Sequence, residues 1–216
     1  MIIPDKIPYN YIAIEGNIGV GKTTLASLIA ETYGAELVLE EFTENSFLEK
    51  FYYDPEQYAF PLEISFLVER FNQLQQRLGK KDLFHPFFVA DYLFDKSLVF
   101  AQNNLKDDQY RLYYQLFETF YRQIETPDLI VYLHNSVPNL QTNIYKRGRP
   151  FELDIEDTYL MDIQHSYLKY FKSISNRAIL LLDVTEMNFV MQDSDYYKLL
   201  NLIAQPWEKK LHVIKP

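Results

Sequence analysis

Residues 16–23 read GNIGVGKT, and they directly follow the apolar run YIAI at residues 11–14 and precede a helical pattern. The spacing G-x-x-x-x-G-K-T between a strand and a helix is the pattern of a phosphate-binding loop. Glycines let the backbone turn so that successive N–H groups face one concavity, which the positive end of the following helix also faces. A glycine-rich turn that binds no ligand is the weaker alternative.

Each position of this loop has an expected contact. The ammonium group of Lys22 would approach the terminal phosphates, and the hydroxyl of Thr23 would bind Mg²⁺. The backbone around them would hold the rest of a nucleotide's phosphates. The predicted nucleotide-binding residues are Gly16, Asn17, Ile18, Gly19, Val20, Gly21, Lys22, Thr23 and Thr24.

The composition is that of an ordinary globular protein. The chain has 216 residues, 48% of them hydrophobic and 24% charged, and no linker or repeat divides it, so we expect a single domain over residues 1–216. The net charge of -9 argues against binding to nucleic acid. The absence of cysteine excludes disulfides and thiolate metal sites. Because no segment approaches the length of a membrane span, we expect no membrane partner and a cytoplasmic location.

Strand and helix patterns alternate along the chain. Five apolar runs are predicted strands, and they lie at residues 11–14, 36–40, 87–91, 128–133 and 178–182. Helical stripes separate them, including a long one that starts near Pro61 and runs toward Gly79, and a last one at residues 196–204. This alternation predicts an α/β fold with a doubly wound, five-stranded parallel sheet and helices on both faces.

Two carboxylates follow predicted strands. Glu40 ends the second strand and Asp91 ends the third. Ligands of such sheets collect at the carboxyl ends of the strands, so these two residues should lie beside the phosphate-binding loop. For Glu40, a solvated glutamate at the end of the strand is the alternative. For Asp91, the alternative is a simple cap at the end of its strand.

The chain resembles the deoxynucleoside kinase family, and within it the bacterial deoxyadenosine/deoxyguanosine kinase branch. The resemblance extends from Tyr11 to about Phe171 and is carried by five segments. These are IEGNIGVGKTT (14–24), LEEFTENSFLEKFY (39–52), YAFPLEISFLVER (58–70), VADYLFDKSLVFA (89–101) and YKRGRPFE (145–152). It implies a P-loop kinase fold that transfers a phosphoryl group from ATP, with Mg²⁺, to the 5′-hydroxyl of a deoxynucleoside. It also implies a homodimer built on helix faces.

The resemblance suggests catalytic roles. Glu40 matches the family's base, although Glu41 beside it allows a register error of one, and Asp91 matches the acid near the magnesium ion. An arginine follows that acid in the family, but here the residue is Tyr92. The pair Asp95 and Lys96 is expected to be solvated.

A lid at about residues 145–156 matches the family's pattern, with Arg147 and Arg149 around a flexible glycine. Two guanidinium groups there would stabilise the charge on the transferred phosphoryl group. A basic surface loop is the alternative. Relatives often carry a further arginine one turn earlier, where this chain has Asn143.

The substrate residues are also assigned by resemblance. Tyr52 and Glu152 match the pair that holds the sugar 3′-hydroxyl. Glu63 stands where many relatives have glutamine, and an ionised carboxylate suits the two donors on the edge of guanine, whereas a protonated or water-bridged Glu63 would accept adenine. Cytosine is a further alternative for the base, and an acid and a base on the helix surface are the alternative for Glu63 and Arg70. Arg70, two helical turns later, would reach the acceptor side of the base, and Ser97 lies where relatives often have Asp or Asn near the base.

Three other classes compete with this interpretation. A nucleoside-monophosphate kinase of the thymidylate kinase type would need more positive groups for its acceptor. A switch GTPase would need an N-K-x-D tetrapeptide after a late strand, and none is present. A catalytically inactive nucleotide-binding protein is the third alternative, since Tyr92 and Asn143 both replace arginines.

Overall fold

The computed structural model describes residues 3–40, 45–78 and 85–216. Its centre is a sheet of six strands, all parallel, in the order β2-β3-β1-β4-β5-β6. The strands are β1 (Tyr11–Gly16), β2 (Glu36–Val38), β3 (Phe88–Ala90), β4 (Leu129–His134), β5 (Ala178–Asp183) and β6 (Leu211–Ile214). The predicted α/β fold with a parallel sheet is therefore confirmed.

Eight α-helices connect or flank these strands in the described part of the chain. They are α1 (Lys22–Tyr33), α2 (Leu48–Tyr53), α3 (Pro55–Leu78), α4 (Lys96–Asn104), α5 (Asp107–Tyr121), α6 (Val137–Arg147), α7 (Asp157–Ser173) and α8 (Asp193–Ile203). A 3-10 turn at Pro150–Glu152 lies between α6 and α7.

Alternate residues of β1 pack on opposite faces of the sheet. Ile12 and Ile14 lie in a core cluster with Leu25 of α1 and Leu199 of α8. Ala13 lies in a second cluster, which holds residues of α7. Helices therefore cover both faces, and the binding groups are left to the edge where the parallel strands end.

Two sequence predictions about elements are wrong. The sheet has six strands, not five, because β6 was not recognised. It is a four-residue edge strand whose residues are partly or well exposed, so its apolar signal is weak. Pro61 lies inside α3, which starts at Pro55. Proline at residue 55 already occupies the favoured first position of a helix. Gly79, the expected helix end, lies outside the described residues, as does Glu41.

Candidate active site

The loop between β1 and α1 adopts a conformation that needs glycine. Gly19 and Gly21 have φ of 82° and 100°. A Cβ on Gly19 would lie 2.8 Å from the carbonyl oxygen of Leu140. Helix geometry leaves the N–H groups of the first turn of α1 without intrahelical acceptors, so these donors are available to an anion.

Side chains also hold this loop in place. The Lys22 ammonium donates to the carbonyl oxygens of Gly16 at 2.9 Å and Asn17 at 3.0 Å. The Asn17 amide donates to the Leu160 carbonyl of α7 at 2.8 Å. Asn143 of α6, where relatives have an arginine, donates to the Gly19 carbonyl at 2.9 Å. Asn143 therefore fixes the loop and brings no positive charge to it.

Glu15, the residue before the loop, is a buried acceptor. Its carboxylate receives the N–H groups of Gly16 at 3.0 Å and Leu93 at 2.8 Å, and the Tyr167 hydroxyl at 2.8 Å. These three donors belong to the phosphate-binding loop, the segment after β3, and α7. Glu15 therefore joins three parts of the site.

Asp91 lies at the end of β3 and is buried. One carboxylate oxygen accepts the hydroxyl proton of Thr23, and the other accepts the backbone N–H of Glu40 at 2.7 Å. The predicted convergence of both strand ends with the loop is therefore present. Asp91 thus contacts the loop as well as the end of β2, which a simple cap on its own strand would not require.

Glu40 is held by two cations. Arg70 of α3 donates to its Oε1 through Nε at 2.8 Å and through a terminal nitrogen at 2.7 Å. The Lys96 ammonium lies 2.6 Å from its Oε2. Although burial opposes it, attraction to Lys96 and Arg70 lowers the pKa of Glu40 to about 2. Glu40 is thus a buried, ionised carboxylate and not a solvated strand end.

The expectation of a solvated Asp95–Lys96 pair is wrong. Both side chains are buried, with 2% and 8% of their surface exposed. Asp95 accepts hydrogen bonds from Arg177 at 3.0 Å and from the Tyr170 hydroxyl. Lys96 is therefore a site residue that sequence reasoning missed. Its position in the first turn of α4, where the helix dipole disfavours a cation, is the signal that could have revealed it.

Tyr92 does not replace the family's arginine in contact with the site. Its side chain is completely buried, and its hydroxyl donates to Gln73 at 2.6 Å. Tyr92 packs in the core cluster between the sheet and α3. The contact that an arginine would make is therefore absent at this position.

Both arginines of the predicted lid bind the same carboxylate. Arg147 and Arg149 both donate to Glu152, the latter at 3.2 Å. Tyr52 stacks on Phe151 with ring centroids 6.0 Å apart. Burial, and then the nearby charges that include Glu152, raise the pKa of Tyr52 well above its usual value, so Tyr52 stays a phenol. Tyr52 and Glu152 thus lie together as predicted.

Glu63 of α3 is almost completely buried, with 2% of its surface exposed. Its Oε1 accepts the Asn104 amide at 2.7 Å, and within the described part of the chain Oε2 has no hydrogen-bond partner. Burial raises the pKa of Glu63 to about 7, against attraction to Arg70. A buried carboxylate oxygen without a partner is a candidate to form a hydrogen bond with a bound ligand.

Arg70 lines the cavity, whereas Ser97 lies behind it. Arg70 donates to Ser97 at 2.8 Å and directs its other bonded nitrogens to Glu40. Ser97 is completely buried behind Arg70 and is not among the residues that line the cavity. The structure therefore places Ser97 as support for Arg70. Contact of either residue with a base stays a prediction.

One cavity of about 730 Å³ unites these groups. Its volume suits a small-molecule substrate. Sequence reasoning missed Asn104, Phe100 and Tyr159 near Glu63, because nothing in their spacing distinguishes them from core residues. The predicted residues among its lining are Ile18, Gly19, Val20, Gly21, Lys22, Thr23, Thr24, Glu40, Tyr52, Glu63, Arg70, Asp91, Arg147, Arg149 and Glu152.

The family model described as deoxynucleoside kinase matches residues 12–206. The chain belongs to the deoxynucleoside kinase family. This confirms the predicted family and class of enzyme, an ATP-dependent phosphotransferase.

Individual members of the deoxynucleoside kinase family are similar to this chain in sequence or in structure. The deoxyguanosine kinase of Bacillus subtilis is 33% identical over 193 residues, which cover 88% of this chain and 93% of the relative. The deoxyadenosine/deoxycytidine kinase of the same organism is 29% identical, with 92% and 94% covered. The structure of deoxyadenosine kinase from M. mycoides with bound dATP has a TM-score of 0.77 and 24% identity, covering 90% of this chain and 99% of that one, and it shows the shared fold.

The donor set fits a magnesium ion carried by a nucleotide. Mg²⁺ usually binds one or two protein oxygens and completes its shell with water and phosphates. The Thr23 hydroxyl and the Asp91 carboxylate, which touch each other, provide such a pair. No cluster of three or more His, Cys, Asp or Glu residues that could hold a metal occurs in the described ranges.

Among the described helices, none is long and apolar enough to span a membrane.

Proposed function

We propose that this kinase transfers the γ-phosphate of ATP to the 5′-hydroxyl of a purine deoxynucleoside, with deoxyguanosine ahead of deoxyadenosine. The observation that carries the proposal concerns the charge and position of the Glu40 side chain. It is an ionised carboxylate, bound by Arg70 and Lys96, and it faces the same cavity as the phosphate-binding loop. A carboxylate in this position accepts the proton that the sugar hydroxyl must lose.

The other groups act on the phosphates. Lys22 and the first-turn N–H groups of α1 bind the triphosphate, and Arg147 and Arg149 move from Glu152 toward the transferred group. Thr23 and Asp91 would hold Mg²⁺, which neutralises phosphate charge when it is bound. Charge on the phosphoryl oxygens is then offset on several sides while Glu40 receives the proton.

Glu63 supports the preference for guanine. With Oε1 held by Asn104, the free Oε2 accepts one of the two adjacent donors on the guanine edge, and Oε1 retains a lone pair for the other. Adenine, which offers one donor and one acceptor, suits a protonated Glu63. The likeness to the deoxyguanosine kinase of Bacillus subtilis supports the same order of preference.

Tyr52 and Glu152 support recognition of the deoxyribose. A carboxylate has lone pairs free for a further donor both while the arginines bind it and after they move away, so Glu152 can accept a hydrogen bond from the 3′-hydroxyl. The phenol of Tyr52 can donate to the same oxygen. The stacked ring of Phe151 limits the room beside the sugar.

We further propose a cytoplasmic homodimer. Leu112, Tyr114 and Leu116 of α5, and Val68 of α3, are large apolar residues that are exposed in the single chain. Exposed apolar patches of this kind are typical of subunit interfaces. A second copy placed against α3 and α5 would cover them.

The test is ADP release measured with deoxyguanosine, deoxyadenosine, deoxycytidine and thymidine as acceptors. We expect the largest kcat/KM with deoxyguanosine, a smaller value with deoxyadenosine, and no comparable rate with deoxynucleoside monophosphates. A faster rate with a monophosphate would indicate the thymidylate kinase-type alternative. Binding of ATP without ADP release for any acceptor would indicate an inactive nucleotide-binding protein.

A further inference from the structure

Lys96 lies at a position that is energetically unfavourable for a cation. It is the first residue of α4, where the positive end of the helix dipole disfavours a cation, and it is 8% exposed. A buried ammonium group needs a partner, and it has one in Glu40, 2.6 Å away. However, Arg70 already binds Glu40 through two nitrogens and would neutralise it alone. The site therefore contains one more buried cation than Glu40 requires.

The extra cation lies next to the phosphate-binding groups. Lys96 lines the same cavity as Lys22 and Asp91. The Lys22 ammonium is held at the loop by the carbonyl oxygens of Gly16 and Asn17, so two ammonium groups, those of Lys22 and Lys96, face one cavity. Like charges repel, so a phosphate group that contacted both ammonium groups would be stabilised by each of them.

We propose that Lys96 is a catalytic residue whose ammonium passes from Glu40 to an oxygen of the transferred phosphoryl group during the reaction. The proposal rests on the proposed function and adds a residue to it. The proton of the 5′-hydroxyl goes to Glu40, and the 5′-oxygen forms a bond to the γ-phosphorus. The bond from that phosphorus to the β,γ-bridging oxygen breaks, and its electron pair leaves with ADP.

Charge conservation gives the reason for the transfer of this contact. Before reaction, Lys96 and Arg70 both contact the negative charge on Glu40. Once Glu40 carries the proton, that charge has moved to the new phosphate monoester, and the ammonium follows it. The flexible side chain of lysine and its three donors allow this small movement. Tyr92 and Asn143 are neutral, so neither can supply the same charge.

The experiment compares Lys96→Met, Lys96→Gln and Lys96→Arg in steady-state kinetics with deoxyguanosine. We expect the two neutral variants to lose roughly 10²–10³ in kcat, the usual effect of removing one preorganised donor, with much smaller changes in KM. Lys96→Arg keeps the charge and should stay within roughly tenfold of wild type. Lys106→Met is the matched control, because Lys106 precedes α5 and pairs on the surface with Glu56 at 3.0 Å.

A double-variant cycle separates catalysis from positioning. If Lys96 acted only by orienting Glu40, Lys96→Met would have no further effect in a Glu40→Gln background. We expect it to lower single-turnover phosphate transfer by at least roughly tenfold in that background as well. Absence of this further loss would overturn the proposal.

Two further outcomes are distinguishable. A wild-type protein that releases ADP, with both neutral Lys96 variants within about threefold of it, would refute the role of Lys96 and leave the proposed function intact. A wild-type protein that releases no ADP with any deoxynucleoside would refute the proposed function and this proposal with it. Thermal unfolding and ATP binding are also measured for Lys96→Gln. These measurements ensure that at least one neutral variant is folded when its kinetics are compared with those of the wild type.

Discussion

The ionisation of Glu63 should set which purine the enzyme prefers. Its pKa of about 7 means that the free enzyme holds it mostly protonated at pH 6 and mostly ionised at pH 8. The ionised form suits guanine, and the protonated form suits adenine. Because kcat/KM reports the pKa of the free enzyme, the ratio of deoxyguanosine to deoxyadenosine kcat/KM should rise roughly 100-fold between pH 6 and pH 8.

Glu63→Gln removes this titration. The variant should show a flat ratio over the same range, and it should favour deoxyadenosine, because an amide offers one donor and one acceptor. Glu56→Gln, an exposed site on the same helix, is the control and should retain the wild-type pH dependence. A ratio that varies identically with pH in wild type and Glu63→Gln would dismiss Glu63 as the group that reads the base.

Stability should change with the same group. Burial raises the pKa of Glu63 from 4.5 to about 7, so its contribution is fully present below pH 4.5 and is lost as the pH rises through 7. At about 1.4 kcal/mol per pKa unit, the cost of ionising Glu63 in the folded state is about 3 kcal/mol at pH 8. Urea unfolding should therefore show Glu63→Gln gaining stability over wild type between pH 5 and pH 8. An unchanged difference in unfolding free energy would contradict the burial argument.

Two other predictions concern the phosphate-binding groups. Alanine at both Arg147 and Arg149 should reduce kcat by roughly 10²–10³, whereas Arg122→Ala on the surface should not. Turnover of the folded double variant within a few-fold of wild type would refute the lid assignment. Gly19→Ala combines a φ of 82° with a close approach to a backbone carbonyl. We expect roughly 5- to 30-fold weaker ATP binding by titration calorimetry, the effect of about 1–2 kcal/mol of strain. Gly34→Ala, also at positive φ but in open space, should cost stability without affecting ATP binding.

The parts of the site that sequence predicted are those fixed by connectivity. A phosphate-binding loop must lie between a strand and a helix, and parallel strands must end at one edge. Asp91 therefore had to lie beside the loop and beside the end of β2, and the structure shows its contacts with Thr23 and with the backbone N–H of Glu40.

Lys96, Tyr92 and β6 depend on tertiary packing, which a single sequence does not display. A lysine five residues after a strand-end acid is compatible with solvent or with the interior. Its place in the first turn of α4 is unusual for a cation, but the sequence does not show that Glu40 lies beside it. Tyr92 turns away from the site because Gln73 accepts its hydroxyl and the core holds its ring. The short β6 owes its structure to pairing with β5 and not to its own composition.

The three hydrogen bonds to Glu15 limit how this enzyme can be redesigned. One carboxylate receives donors from the nucleotide loop, from the chain that leads into α4, and from α7. A change in the backbone near Leu93, made to admit a new base, would therefore also shift the loop that binds the phosphates of ATP. Changes of specificity are therefore best made at side chains such as Glu63 and Asn104, which can be exchanged without moving that shared anchor.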